Sequence, residues 1–270
     1  MLEILKPFFH VLTGRKFVVS RWGLLKTLLK LAFLKRLFPG KTDVVVKFGP
    51  FTINAPDYHM LSILLKEKFV YNEYLFETSS DAPIIIDGGA NIGISVLYFK
   101  SLYPNSIIHC FEPYSKAYGF LERNIKQNNL ANIHLNKLAL SGTQQTTQLF
   151  IPDTNGTINA TINSSLASEK SEPVETAALS SYIASFPNID LVKLDIEAAE
   201  VAVVNELHKS NAFKNNKIKN LVVEFHASTM SDPGALEQFV SLLNSHSYSV
   251  SYKVLNPRSE KSDYLVVAAL

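Results

Sequence analysis

The sequence predicts an α/β domain with a mostly parallel sheet of seven strands, helices on both faces, an antiparallel hairpin at the C-terminal end, and a helical and hairpin extension in front. Three observations carry this. From Ile84 onward, short apolar runs alternate with amphipathic helical stretches. The runs are apolar at nearly every position, as strands covered on both faces must be. The last two strand segments are joined by the polar "NPRSEKSD", a turn signal between antiparallel neighbours.

Taken in order, residues 1–43 form a basic amphipathic extension. Within its first forty residues, Lys6, Arg15, Lys16, Arg21, Lys26, Lys30, Lys35 and Arg36 face one acid, Glu3. In "WGLLKTLLKLAFLKRLF" the lysines recur at helical spacing among leucines and aromatics, which predicts a helix too interrupted by charge to cross a bilayer. Two roles stand open for it: packing on protein, or resting peripherally on an anionic membrane through residues 1–40. Residues 44–80 lead into the core with a hairpin, "DVVVKF", "GP", "FTINA", and an apolar helical stretch over 58–76.

The core occupies residues 81–270. Strands are expected over 84–87, 107–111, 132–136, 190–195, 219–225, 248–255 and 263–268, and helices over 92–102, 114–128, 198–209 and 233–246. The polar segment 141–173 reads as short strands and loop lying over a site.

Composition excludes several classes. Lys plus Arg number 26 against 24 Asp plus Glu, so no global charge argues for nucleic acid. The single cysteine, Cys110 in "IIHCF", has no internal partner and points to a reducing cytoplasm. Asn155, Asn159 and Asn163 match glycosylation patterns, but no export signal accompanies them.

The chemistry is concentrated where strands end. In "IIIDGGANIG", Asp87, Gly88, Gly89, Ala90, Asn91 and Gly93 follow the first core strand, the place where open α/β sheets bind ligands. The glycines do not fit the G-x-G-x-x-G dinucleotide spacing, and Asp87 would repel a pyrophosphate. S-adenosylmethionine has no phosphate and carries an ammonium and a sulfonium, so an acid there suits it. Glu112 in "IIHCFEP" ends the second strand, where a carboxylate accepts from ribose hydroxyls or caps the helix that follows.

"IIIDGGANIG", "FEPYSKAYGFLERNIKQNNL", "LVKLDIEAAE" and "LVVEFH", in that order, resemble the FkbM-type methyltransferases, S-adenosylmethionine-dependent enzymes with the seven-stranded class I methyltransferase sheet. The resemblance implies methyl transfer to oxygen on a sugar, glycan or natural-product hydroxyl. It also implies that Asp87 to Asn91 and Gly93 hold the methionine end, that Glu112 takes the ribose, and that Ala139 and Leu140 border the adenine. One departure stands out: Ala198 occupies a position where that family carries glycine. A helical alanine there is expected to be tolerated.

Asp195, Glu197 and His226, at the ends of two neighbouring strands, are the candidates to touch the acceptor and take its proton. Glu197 is also placed to open the following helix as a dipole-matching acid. The same three could ligate Mg²⁺ or Mn²⁺, though a metal is not the favoured reading. No C-x-x-C or H-E-x-x-H pattern suggests zinc. The competing functions are a non-catalytic cofactor-binding scaffold that docks on a membrane or partner, and an NAD-dependent oxidoreductase.

Overall fold

The computed structural model describes residues 7, 11, 19–152, 160–166, 168–214, 217–230, 232–255 and 262–270. The basic extension is therefore described mainly from Val19 onward. Asn155, Asn159 and most of the polar link before the last strand lie outside the described residues.

Helix α1 (Arg21–Leu37) starts at Ser20, whose hydroxyl accepts from the Gly23 amide at 3.4 Å, an N-cap arrangement. It buries Leu24, Thr27, Leu28 and Leu31. The expected hairpin follows as antiparallel β1 (Thr42–Phe48) and β2 (Phe51–Asp57). Asp57 then caps α2 (Tyr58–Leu65), accepting from the Met60 amide at 2.8 Å.

The expected helix over 58–76 stops short. It passes into a π turn at Lys66–Val70, and Asn72 turns left-handed at φ 50°. The physical reason lies in the aromatics beyond. Tyr74 and Phe76 are nearly fully buried against Phe99, and a straight helix could not deliver both to that side. The π turn also places Glu67 on a cavity wall, in keeping with the habit of such turns at functional sites.

The core continues with β3 (Ile84–Gly88), α3 (Ile94–Leu102), β4 (Ile107–Phe111), α4 (Ser115–Gln127) and β5 (Ile133–Asn136). Then come β6 (Ala139–Ser141), β7 (Thr146–Ile151) and β8 (Lys170–Ala178), which make a separate sheet in the order β6-β8-β7. The chain ends with α5 (Leu179–Ile183), β9 (Leu191–Leu194), α6 (Glu200–Lys209), β10 (Asn220–Phe225), α7 (Ala235–Ser245), β11 (Ser249–Val254) and β12 (Tyr264–Ala269).

The main sheet has seven strands in the order β11-β12-β10-β9-β3-β4-β5. All its pairings are parallel except those of β12, which inserts antiparallel between β10 and β11. Alternation along each strand divides two cores. Ile85, Leu191 and Val222 join one, whereas Ile86, Val192 and Val223 join the other, the period of two that a sheet covered on both faces requires.

The extension shares the first of these cores. Buried Asn124 fastens it: its amide donates to the carbonyls of Asn54 at 2.9 Å and Ile92 at 2.8 Å, and its carbonyl accepts from the Asn54 amide at 2.7 Å. After β5 the chain returns to the far side of β3 to form β9. That reversal opens a crevice beyond the carboxyl ends of β3, β4 and β9. Among the described residues, no helix is long and apolar enough to cross a membrane.

Candidate active site

The crevice holds a cavity of about 280 Å³, just under the ~300–1,000 Å³ typical of small-molecule sites. Gly89, Asn91, Glu112, Ala139 and Leu140 line one end, and Asp195, Glu197, Glu224 and Glu67 line another part of the wall. His59, Met60, Ile63 and Leu64 from α2 close a side. Among the described lining residues are five carboxylates and no lysine or arginine.

The glycines answer first to the protein's own backbone. At Gly89, φ is +74°, and a Cβ would stand 1.8 Å from the Asp195 carbonyl oxygen. At Gly93, φ is +87°, and a Cβ would meet Leu121 at 2.8 Å. No side chain fits either place, so β3 and β9 can converge at their ends and α3 can start against α4.

Asp87, expected to hold the cofactor's methionine end, is placed beneath the cavity floor. It is fully buried and absent from the cavity lining. Its carboxylate accepts from Ser95 Oγ at 2.6 Å and pairs with Lys193 Nζ at 3.1 Å. Lys193, itself buried, donates to the carbonyls of Gly88 at 2.9 Å and Gly89 at 2.7 Å. Asp87 thus braces the floor from below. Gly88, Ala90 and Gly93 also lie off the lining.

Glu112 faces the cavity, with Oε2 accepting from the Asn91 amide at 2.8 Å and Oε1 from the Tyr114 amide at 2.9 Å. It serves as a local backbone acceptor at the start of α4 and still has lone pairs free, because a carboxylate offers about four acceptor positions. Burial raises its pKa to about 7 against the pull of those two amides.

Asp195, Glu197 and His226 do meet, with one ligand atom from each lying within 4.8 Å of the others. Tyr74 donates to Asp195 Oδ2 at 2.8 Å. Burial opposes the Asp195 charge, but Lys193, Lys68, His226 and the Tyr74 hydroxyl outweigh it and lower its pKa.

His226 is held between acids, its Nδ1 2.9 Å from Glu200 Oε1 and its Nε2 3.5 Å from Glu197 Oε2. Burial disfavours its charge, yet Glu200, Glu197 and Asp195 raise its pKa to about 11. From sequence, His226 was a candidate proton acceptor. The acids on both of its nitrogens favour its protonated form, it is absent from the lining, and it stands where it can position Glu197. Fully buried Glu200 also accepts from the Ile196 and Ala198 amides at 3.1 and 3.2 Å.

Burial raises Glu197 to about 7, with Asp195 and Glu200 adding to the rise and His226 resisting it. Glu224 is raised to about 8, first by burial and then by Asp195. Glu67, Glu224 and the α2 residues were not expected at the site. No motif marks Glu67 or the α2 residues; Glu224 lies within "LVVEFH", and the register of β10 brings it to the cavity. Leu149, Ala160 and Ile162 also reach the cavity, as the segment expected to lie over the site should.

Residues 87–250 match the methyltransferase FkbM domain. The chain belongs to the FkbM methyltransferase family. It is 28% identical over 181 residues to Methyltransferase 1 of Beauveria bassiana (strain ARSEF 2860), covering 59% of this chain and 71% of that one. It is 26% identical over 230 residues to Methyltransferase sdnD of Sordaria araneosa, with 69% and 84% covered. The fold is that of the FkbM methyltransferase structure from Methylobacillus flagellatus KT, at TM-score 0.51 and 13% identity, covering 94% of this chain and 63% of that one.

In this FkbM methyltransferase the departure at Ala198 acquires a backbone meaning. Residue 198, expected to open a helix over 198–209, instead lies before α6, at φ +79° and directly after Glu197 at φ +52°. The left-handed region costs a non-glycine residue about 1–2 kcal/mol, offset in part by the greater chain entropy of glycine when unfolded. Ala198→Gly is expected to stabilise the protein by about 1 kcal/mol. A melting temperature higher by about 2–4 °C would show it; an unchanged or lower value would contradict it.

Proposed function

We propose that the protein is an S-adenosylmethionine-dependent O-methyltransferase acting on a hydroxyl of a sugar, glycan or small natural product. One observation carries this reading: the cavity at the strand ends is walled by Glu67, Glu112, Asp195, Glu197 and Glu224, with no lysine or arginine among its described lining residues. Burial raises the pKa of several of these carboxyls toward neutrality, and a cationic ligand draws them into the charged form, whereas a pyrophosphate would meet these acids, which also speaks against an NAD-dependent oxidoreductase.

The residues present fit the family's methyl donor. Glu112 has acceptor capacity for ribose hydroxyls, Ala139 and Leu140 offer an apolar edge for adenine, and Gly89 and Asn91 line the wall beside Glu112 where the amino acid end would lie. When bound, this cofactor supplies a methyl group already activated by its sulfonium.

The protein's task is then to align the acceptor oxygen and remove its proton. Glu197 is the carboxylate best placed for the second part. It lines the cavity with its side chain 29% exposed, while Asp195 Oδ2 is already engaged by Tyr74. The hydroxyl proton passes to a Glu197 oxygen, and His226, anchored by Glu200, holds that carboxylate in place. Met60, Ile63 and Leu64 restrict water on the acceptor side.

A second reading is favoured by the 4.8 Å grouping of Asp195, Glu197 and His226. A divalent cation bound there would lower the acceptor's pKa directly. Treatment with a chelator separates the two: turnover persists if Glu197 works alone, and is lost and restored by Mg²⁺ or Mn²⁺ if a cation works with it.

Transfer of a labelled methyl group to a panel of hydroxyl acceptors and their amine counterparts tests the main reading. Label is expected on hydroxyls. Label confined to amines, or tight cofactor binding with no transfer to any acceptor, would replace it with an N-methyltransferase or a non-catalytic scaffold.

A further inference from the structure

Helix α1 presents two unlike faces. Leu24, Thr27, Leu28 and Leu31 point inward and are buried. On the opposite side Trp22, Leu29, Phe33 and Leu37 recur at spacings that share one helical face, and they are 65%, 54%, 64% and 54% exposed. Lys26 sits within this stripe, between Trp22 and Leu29, Lys30 and Arg36 flank it in solvent, and the helix contains no acidic residue at all.

We propose that this outward face of α1 is a docking surface for the headgroup region of an anionic lipid bilayer. Isolated surface leucines need no explanation, but four large apolar residues on one exposed face, Trp and Phe among them and only Lys26 between, do. The pattern, aromatic and aliphatic residues bordered by cations, is that of a helix lying in the membrane interface plane. The apolar row enters the acyl boundary while Lys26, Lys30 and Arg36 meet lipid phosphates. Among the described residues no helix can span the bilayer, so the contact is peripheral.

Charge also decides against a second copy of the chain. In a symmetric pair the same patch meets itself. The cations of one α1 would then confront those of its mate, with no acid on either helix to answer them.

The placement links docking to the site. The inner side of α1 packs on α2, and α2 supplies His59, Met60, Ile63 and Leu64 to the cavity wall. A bilayer on the outer face of α1 is therefore separated from the cavity by two helices, α1 and α2. Docking itself depends on neither the cofactor nor the acceptor, so it stands or falls apart from the proposed reaction.

The test is flotation of the full chain with phosphatidylcholine vesicles, with and without phosphatidylserine, read alongside tryptophan fluorescence. The chain has one tryptophan, Trp22, so emission reports this face alone. Expected are recovery with the anionic vesicles, a blue shift on binding, and weakening as salt is raised. Each of Lys26→Gln, Lys30→Gln and Arg36→Gln should lower vesicle affinity about fivefold, with the melting temperature unchanged because these side chains are exposed. Phe33→Ser with Leu29→Ser, which keeps the reporter, should lower it about tenfold or more. Absence of both recovery and shift would overturn the proposal. So would unaltered binding in these variants, or a dimer in sedimentation that Phe33→Ser with Leu29→Ser dissolves, which would assign the face to a second copy.

Discussion

Replacing Lys193 by methionine is expected to destabilise the protein by about 3–5 kcal/mol, the usual consequence of removing one partner of a buried ion pair. Lys193 is 1% exposed and stands 3.1 Å from the carboxylate of fully buried Asp87. Its ammonium also satisfies the Gly88 and Gly89 carbonyls on the cavity floor. Methionine fills similar space but leaves an uncompensated carboxylate and two carbonyls without their donor. Denaturant unfolding measures the loss. Adding Asp87→Asn should recover a large part of it, because the two residues act as a unit. A Lys193→Met protein within about 1 kcal/mol of the parent would show that the pair does not hold the floor together.

Glu197→Gln is expected to lower kcat by about 10²–10⁴-fold, the range for losing a positioned base, with cofactor affinity little changed. The amide keeps the shape and the neighbourhood of His226 but cannot take a proton. In the parent, burial holds this carboxyl at about 7. Its basic form is therefore populated as pH rises through that value, so kcat should climb across neutral pH. The variant should lose that limb. A parent profile flat from pH 5 to 9, or a variant with near-parent turnover, would move the proton transfer to another group such as Glu224.

Most of the fold is legible in the sequence because it depends on local periodicity. "IIID", "IIHCF" and "LVKL" read as strands covered on both sides, and each forms one. What the sequence leaves unread shares a cause, the effect of distant residues on a local signal. Asp87 looks like a ligand group at a strand end until β3 lies beside β9, where Asp87 and Lys193 are direct register partners.

His226 looks like a base until Glu200 and Glu197 are seen on its two nitrogens. Ala198 looks like a comfortable helical alanine until its φ is known. Glu67 leaves no motif, and reaches the cavity only because the helix after Leu65 widens to a π turn. Glu112 was legible because both its uses, local backbone acceptor and candidate ribose acceptor, depend on where the second core strand ends.

A cavity lined with acids for a sulfonium nucleoside is tested most directly by calorimetric titration of the purified chain with S-adenosylmethionine and, separately, with NAD. Expected is one saturable site for the former, weakened about tenfold or more by Glu112→Ala through loss of hydrogen bonds to a charged acceptor, and no binding of the latter. Saturable binding of NAD with none of S-adenosylmethionine, or S-adenosylmethionine binding indifferent to Glu112→Ala, would contradict it.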